Sequence, residues 1–354
     1  MTREISMMDG ESGNERLAAF DGELAGVNMT GQWKFEALLQ KAIGGPAPAG
    51  IPFKWSWETI SAMLDKSCEA LKETTTVRRT LSFSNPALPV GSTHALLGAV
   101  QMVLPGEVEW THSHAISALR FVIDGVDGLS TVVDGEHLPM AKHDLILTPA
   151  WAKHDHHNDG DRPGVWLDVL DLPIVAGLKQ VSYRVPNTKS QELDGRPRAD
   201  GDSRSHFLRR RGIVSTAGSP PLRFPWAETE AELLRQASQG VDPCDGVMLE
   251  YFDPFTGESV LPTLSCNVQL LPAGFTSVEH RKTASSLCYV MEGSGTTSIE
   301  GHSDIEWQER DVFVLPNWVW HAHRNRSTDE RALLFVVTEA ALLRTMGIDR
   351  SERR

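Results

Sequence analysis

One pattern occurs twice in this chain, and it constrains the fold more tightly than any other feature. In the first half, Gly106 precedes His112 by five intervening residues, His114 follows, and Gly125 lies eleven residues beyond His114. The segment Pro149-x-Trp151-x2-His154-x3-Asn158 comes next. In the second half, Gly274, His280, Lys282 and Gly293 repeat the first spacing, and Pro316-x-Trp318-x2-His321-x3-Asn325 repeats the second. Two copies of one unit are the direct reading. The runs between the motif residues are short and rich in β-branched and apolar side chains, as at 99–104, 117–123, 129–133 and 144–148, and turn residues separate them. Similar runs fill 247–337. This pattern predicts a mainly β protein built from antiparallel sandwiches or barrels.

The first part of the chain reads differently. Apolar residues spaced by three and four at 35–42 and 57–71 predict helices, with the Gly/Pro-rich stretch 44–52 breaking any helix between them. Ser56 stands where an N-cap belongs, and Ile60, Met63 and Leu64 form the expected buried stripe. The polar stretch 186–211 reads as a linker, and 226–239 as one more helix. The expected organisation is therefore a tail and helical segment at 1–85, a barrel at 86–185, a linker with a helix at 186–240, and a second barrel at 241–354.

Charge and cysteine usage narrow the function. Lys and Arg number 34 against 47 Asp and Glu, a formal charge of −13. An acidic surface argues against nucleic-acid and anionic-membrane partners. No apolar run approaches the ~20 residues of a membrane helix. The start of the chain lacks the apolar stretch of a secretory signal. Cys68, Cys244, Cys266 and Cys288 are widely separated. That spacing predicts no disulfide framework or cysteine zinc site and points to a reducing cytoplasm.

The chemistry concentrates in the first repeat. His112 and His114 are alternate residues of a strand and so share a face; His154 arrives from a later strand. Three neutral imidazoles leave open coordination positions, and they suit Fe, Zn, Cu or Ni alike. In the second repeat Lys282 replaces the second histidine, and an ammonium is a poor ligand. One metal per chain is expected, in the first half. Alternation places His156 beside His154, as a proton-moving group or as a hydrogen-bond partner. Arg120 lies within an otherwise apolar strand and needs a partner. It reads as an anchor for a substrate carboxylate or as half of an internal salt bridge, for instance to Asp168. Trp151, Trp318 and Trp320 read as packing residues, because only one half is expected to be active.

The motif residues resemble the two cupin motifs. Gly106, His112, His114 and Gly125 match the first, with Ala118 where a glutamate is usual. Pro149, His154 and Asn158 match the second, with His143 and Trp151 in place of its glycines. With the duplication and the SALRF, LTPxW and HDH segments, the chain from about 55 to 348 is similar to the gentisate 1,2-dioxygenase family. That family includes salicylate, 5-nitrosalicylate and 1-hydroxy-2-naphthoate dioxygenases. The resemblance implies a bicupin of two jelly-roll barrels, Fe(II) on His112, His114 and His154, and ring opening of a small aromatic hydroxy acid by O2 between the carboxyl- and hydroxyl-bearing carbons. It also implies a homotetramer, catalytic roles for His156 and Asp168, and substrate contacts from Arg120, Gln101 and the Arg78–Arg79 segment. Leu97, Ala99 and Thr80 take pocket-wall positions, and Asp171 is an alternative to Asp168. Two other readings remain: a non-catalytic bicupin that binds a small acid, and a Mn(II) cupin enzyme of the isomerase or oxalate type, which usually keeps the glutamate.

Overall fold

The computed structural model describes residues 11–72, 79–186, 188–193 and 221–354. Arg78 and most of the expected linker lie outside the described residues. The helices are α1 (Glu11–Gly26), α2 (Glu36–Lys41), α3 (Trp57–Ala70), α4 (Leu172–Gly177), α5 (Trp226–Ala237) and α6 (Ala340–Thr345). The first strands are β1 (Phe53–Trp55), β2 (Arg79–Ser82), β3 (Leu97–Val103), β4 (Val108–His114), β5 (Ala118–Asp124), β6 (Leu129–Val133), β7 (Glu136–Pro139), β8 (Leu145–Thr148), β9 (His154–Asn158), β10 (Gly164–Leu170) and β11 (Tyr183–Arg184). The rest are β12 (Arg223–Phe224), β13 (Val247–Glu250), β14 (Ser265–Leu271), β15 (His280–Lys282), β16 (Ser286–Glu292), β17 (Ser294–Ile299), β18 (Ile305–Gln308), β19 (Val312–Leu315), β20 (His321–Asn325), β21 (Ala332–Thr338) and β22 (Ser351–Arg353).

The chain divides into two compact units, 1–47 and 48–354. In the smaller, the Trp33 indole donates to Asp21 at 3.1 Å and stacks on Phe20. In the larger, the strands form four sheets, two per repeat. The first repeat has the orders β12-β8-β5-β10-β3-β2 and β11-β4-β9-β6-β7; the second has β1-β19-β16-β21-β14-β13 and β18-β17-β20-β15-β22. The two sets correspond strand for strand, as duplication requires.

Each repeat lends a strand to the other. β1 precedes the first barrel in sequence but pairs with β19 of the second, and β12 precedes the second barrel but pairs with β8 of the first. The helix after each lent strand is fixed at its first residue by an aspartate of the receiving barrel. Asp311 accepts from the Trp57 amide (2.9 Å) and pairs with Lys54 (3.0 Å). Asp144 accepts from the Trp226 amide (2.9 Å) and pairs with Arg223 (2.8 Å). Carboxylates satisfy exposed N–H groups at helix starts and oppose the helix dipole. Helix α3, read from the sequence with the N-terminal segment, thus belongs to the larger unit. Ser56 caps it by accepting from the Thr59 amide. Ile60 and Leu64 are buried as expected, but Met63 is exposed, because the apolar face is narrower than the sequence suggests.

Between the barrels, Phe121 stacks on Phe335 with centroids 4.0 Å apart, and both are fully buried. Arg310 forks onto Asp124 at 2.8 and 3.0 Å, joining the second barrel to the first. The motif positions where glycine is usual carry other residues, yet they keep glycine's conformation. His143, Trp151, Arg310 and Trp318 have φ of 67°, 69°, 70° and 58°. Side-chain contacts offset the cost of this left-handed backbone. Trp151 sits under Arg184, Trp318 under Arg281, and His143 lies against Phe121 and Trp226. Trp151 is therefore not a core residue as its repeat position suggested; it is 43% exposed, whereas Trp318 is buried.

Candidate metal centre

Strands β4 and β9 bring the three histidines of the first repeat together. His112 lies directly across from His154 in the ladder. Ligand nitrogens of His112, His114 and His154 lie within 4.8 Å of one another, and all three rings are buried. The Nδ1 atoms approach the carbonyls of Trp110 (2.8 Å), Ile116 (2.7 Å) and Ala152 (3.0 Å). A carbonyl only accepts, so each Nδ1 carries the proton and donates it, and each Nε2 presents a lone pair. The Nε2 of His154 is buried with no hydrogen-bond partner among the described residues. A bare imidazole lone pair in such a place fits a metal ion. Burial, then the charges of Arg120 and His112, holds His154 well below the usual histidine range, so the ring stays neutral and available as a ligand. Tyr183, on edge strand β11, stacks on His112 and His114 at centroid distances of 5.3 and 6.0 Å.

His156 lies on the same face of β9, its ring 5.8 Å from that of His154 and 5.2 Å from Trp166. Its Nδ1 is 2.8 Å from the Thr131 hydroxyl, which donates to the Met140 sulfur at 3.1 Å. The second repeat keeps this bond, His323 to Thr297 at 2.9 Å.

Arg120 and Asp168 face each other across β5 and β10 and form a buried ion pair, Nε to Oδ1, at 3.4 Å. The internal salt bridge weighed from the sequence is therefore present. Arg120 also donates to Thr148, and the Trp166 indole donates to the other Asp168 oxygen at 3.1 Å. Asp171 instead accepts from the Ser117 amide and Thr263 ahead of α4, and burial raises its pKa. Cross-strand partners share a face. Register puts Ala99 beside Asp168, and Gln101 beside Trp166 and Thr80. Arg79 lies opposite Met102, on the other face, and pairs with Glu107 at 2.7 Å.

One buried residue in this barrel was not singled out from the sequence. Glu109 accepts from the Gln101 side-chain amide and pairs with His156 across the ladder. A register shift between Glu109 and His112 inserts an extra residue into β4. Alternation read straight through the sequence puts Glu109 on the face opposite the histidines; the bulge returns it to theirs.

In the second repeat, Lys282 binds Asp245 at 2.7 Å, and His280 Nε2 lies 3.6 Å from the same carboxylate. Burial, with the Lys282 charge as a lesser cause, depresses His280 and His323, and takes His321 to about 3. Among the described residues, only the first-repeat histidines have metal-ligand geometry. All four cysteines are free thiols. No helix among the described residues is long and apolar enough to cross a membrane.

A cupin domain model matches residues 99–170 and 267–338, one match per barrel. The chain is 40% identical to 1-hydroxy-2-naphthoate 1,2-dioxygenase of a Nocardioides species over 94% of this chain and 86% of that one. It is 34% identical to 5-aminosalicylate 1,2-dioxygenase of a Comamonas species over 95% and 90%. The crystal structure of salicylate 1,2-dioxygenase from Pseudoaminobacter salicylatoxidans with gentisate superposes with a TM-score of 0.84 at 26% identity, covering 100% of this chain and 97% of that one.

Proposed function

Because this chain belongs to the gentisate 1,2-dioxygenase family of bicupin enzymes, we propose that its ring-cleaving dioxygenase activity on salicylate-type aromatic acids runs on Fe(II) held by His112, His114 and His154. The observation that carries this reading is three ligand nitrogens within 4.8 Å of one another, on rings whose Nδ1 atoms are each held by a backbone carbonyl. When bound, Fe(II) supplies a redox-active Lewis acid at which an aromatic acid and O2 are brought together. Both oxygen atoms enter the product and the ring carbons supply the electrons, so no external reductant is consumed.

The protein residues bind, orient and manage protons. Arg120 receives the substrate carboxylate with the guanidinium nitrogens that Asp168 does not take. Asp168 acts as a positioning residue, holding that guanidinium through Nε. Gln101 and the wall positions Leu97, Ala99 and Thr80 shape the space around the ring. His156, with Nδ1 bonded to the Thr131 hydroxyl, exchanges protons at Nε2. The ion pair with Glu107 leaves Arg79 outside this set.

The aromatic acid carries a hydroxyl ortho to its carboxyl. The identity to the Nocardioides enzyme favours 1-hydroxy-2-naphthoate as a second substrate reading beside gentisate, salicylate and 5-substituted salicylates. We assign the barrels to 86–185 and 241–354, with β2 and β12 completing the first and β1 the second, and a homo-oligomeric, cytoplasmic enzyme as the working state; four free thiols fit a reducing compartment. The test is oxygen uptake by iron-loaded protein across these acids. One O2 consumed per acid, with loss of the aromatic absorbance, is the expected result. No uptake with any of them overturns the reading.

A further inference from the structure

Glu109 has no role in the reading above, yet a carboxylate with 4% of its surface exposed inside the metal-bearing barrel is costly unless it is bound. The β4 bulge turns it to the face that carries His112 and His114, and the ladder sets it beside His156. Its oxygen accepts from Nε2 of Gln101, itself 5% exposed, on β3.

The consequence is chemical. A glutamine amide has two faces of opposite polarity, a carbonyl that accepts and an NH2 that donates. A carboxylate cannot donate, so it selects one of the two flips of its neighbour. We propose that Glu109 is a positioning residue that acts through Gln101: by taking the amide's NH2, it fixes the side chain so that Gln101 offers its carbonyl oxygen, as an acceptor, to a hydroxyl or amino donor on the aromatic acid. This rests on the assignment of Gln101 as a substrate contact. Without Glu109 the amide samples both flips, and the wrong one sets a donor against the substrate's donor.

A double-mutant cycle on kcat/KM tests this. Glu109→Gln, which keeps the shape and removes the fixed polarity, should lower kcat/KM about tenfold in the native background, the cost of roughly one hydrogen bond. In a Gln101→Leu background the same change should have less than about a twofold effect, since nothing remains to be positioned. Thermal unfolding is followed in parallel. The exchanged pair, Gln101→Glu with Glu109→Gln, keeps the amide–carboxylate bond should the single variant fail to fold. It should melt like the native protein and recover most of the activity that Glu109→Gln loses, because a carboxylate at position 101 accepts from the amide at 109 and again presents an acceptor oxygen to the substrate's donor. Equal losses from Glu109→Gln in both backgrounds, or no recovery in an exchanged pair that melts like the native protein, would overturn the proposal and leave Glu109 a structural residue. Native activity in Gln101→Leu alone would instead remove the underlying assignment of Gln101.

Discussion

His112 and His154 face each other in register across β4 and β9, their ring centroids 4.1 Å apart. Neither ring can turn without breaking the hydrogen bond from its Nδ1 to a backbone carbonyl. The strands and these hydrogen bonds fix both rings, and removing one leaves two of the three candidate ligands. His154→Ala should lower metal affinity at least ~100-fold, beyond what loss of an outer partner costs. Elemental analysis after dialysis should give about one equivalent of iron per native chain and almost none in the variant. Lys282→Ala should keep the full equivalent, because Lys282 lies in the second repeat, apart from the three histidines.

Arg120 pairs through Nε with Asp168, and it is the residue proposed above to meet the substrate carboxylate. Lysine keeps the charge but not the planar fork, so it cannot hold Asp168 and a carboxylate at once. Arg120→Lys should lower kcat/KM for the aromatic acid about 10- to 100-fold, the range of a hydrogen bond to a charged group. The loss should fall mainly on KM, and metal content should stay native. A variant whose metal content falls in step with its activity would show that Arg120 supports His154 rather than the substrate.

The triad was legible because ligand spacing is local: two histidines two apart on one strand and a third within a motif. The duplication was legible for the same reason. Its extension to the lent strands was not, although Lys54-Trp-Ser-Trp57 and Arg223-Phe-Pro-Trp226 carry it, because two short apolar pieces do not reveal which sheet they join. Glu109 escaped notice because a bulge reverses the facing of residues, and strict alternation cannot register an inserted one. The exposure of Trp151 was missed because its motif position specifies a backbone conformation, not burial, and φ near +70° carries the ring outward onto Arg184.

Glu339 sits buried between the barrels, accepting from the Ser285 amide and hydroxyl at 2.8 Å, with His94 3.5 Å away. Burial raises its pKa to about 7 from 4.5. The folded protein therefore holds this proton where the unfolded chain has released it. The resulting stability is fully present below pH 4.5 and is lost as pH rises to about 7. The span corresponds to about 3 kcal/mol at most. Glu339→Gln should flatten this part of the stability–pH curve between pH 5 and 8. Unfolding in denaturant at several pH values checks it; an unchanged slope in the variant would assign the pH dependence to other groups.

Arg310 separates backbone strain from side-chain bonding. It holds φ of 70° where the motif expects glycine, and it also forks onto Asp124 of the other barrel. Both Arg310→Ala and Arg310→Gly remove the fork, but only glycine relaxes the left-handed backbone. At an ordinary position alanine is the more stable of the two by roughly 0.5–1 kcal/mol, because glycine loses more chain entropy on folding. Here the order should reverse, with Arg310→Gly the more stable by about 1 kcal/mol, since alanine still meets the steric cost of positive φ. Both variants should fall below the native protein, because the fork ties two barrels and is only partly exposed. Melting temperatures measured side by side give the ranking. Alanine above glycine would mean that the motif's left-handed turn carries no strain and that Arg310 is present for its ion pair alone.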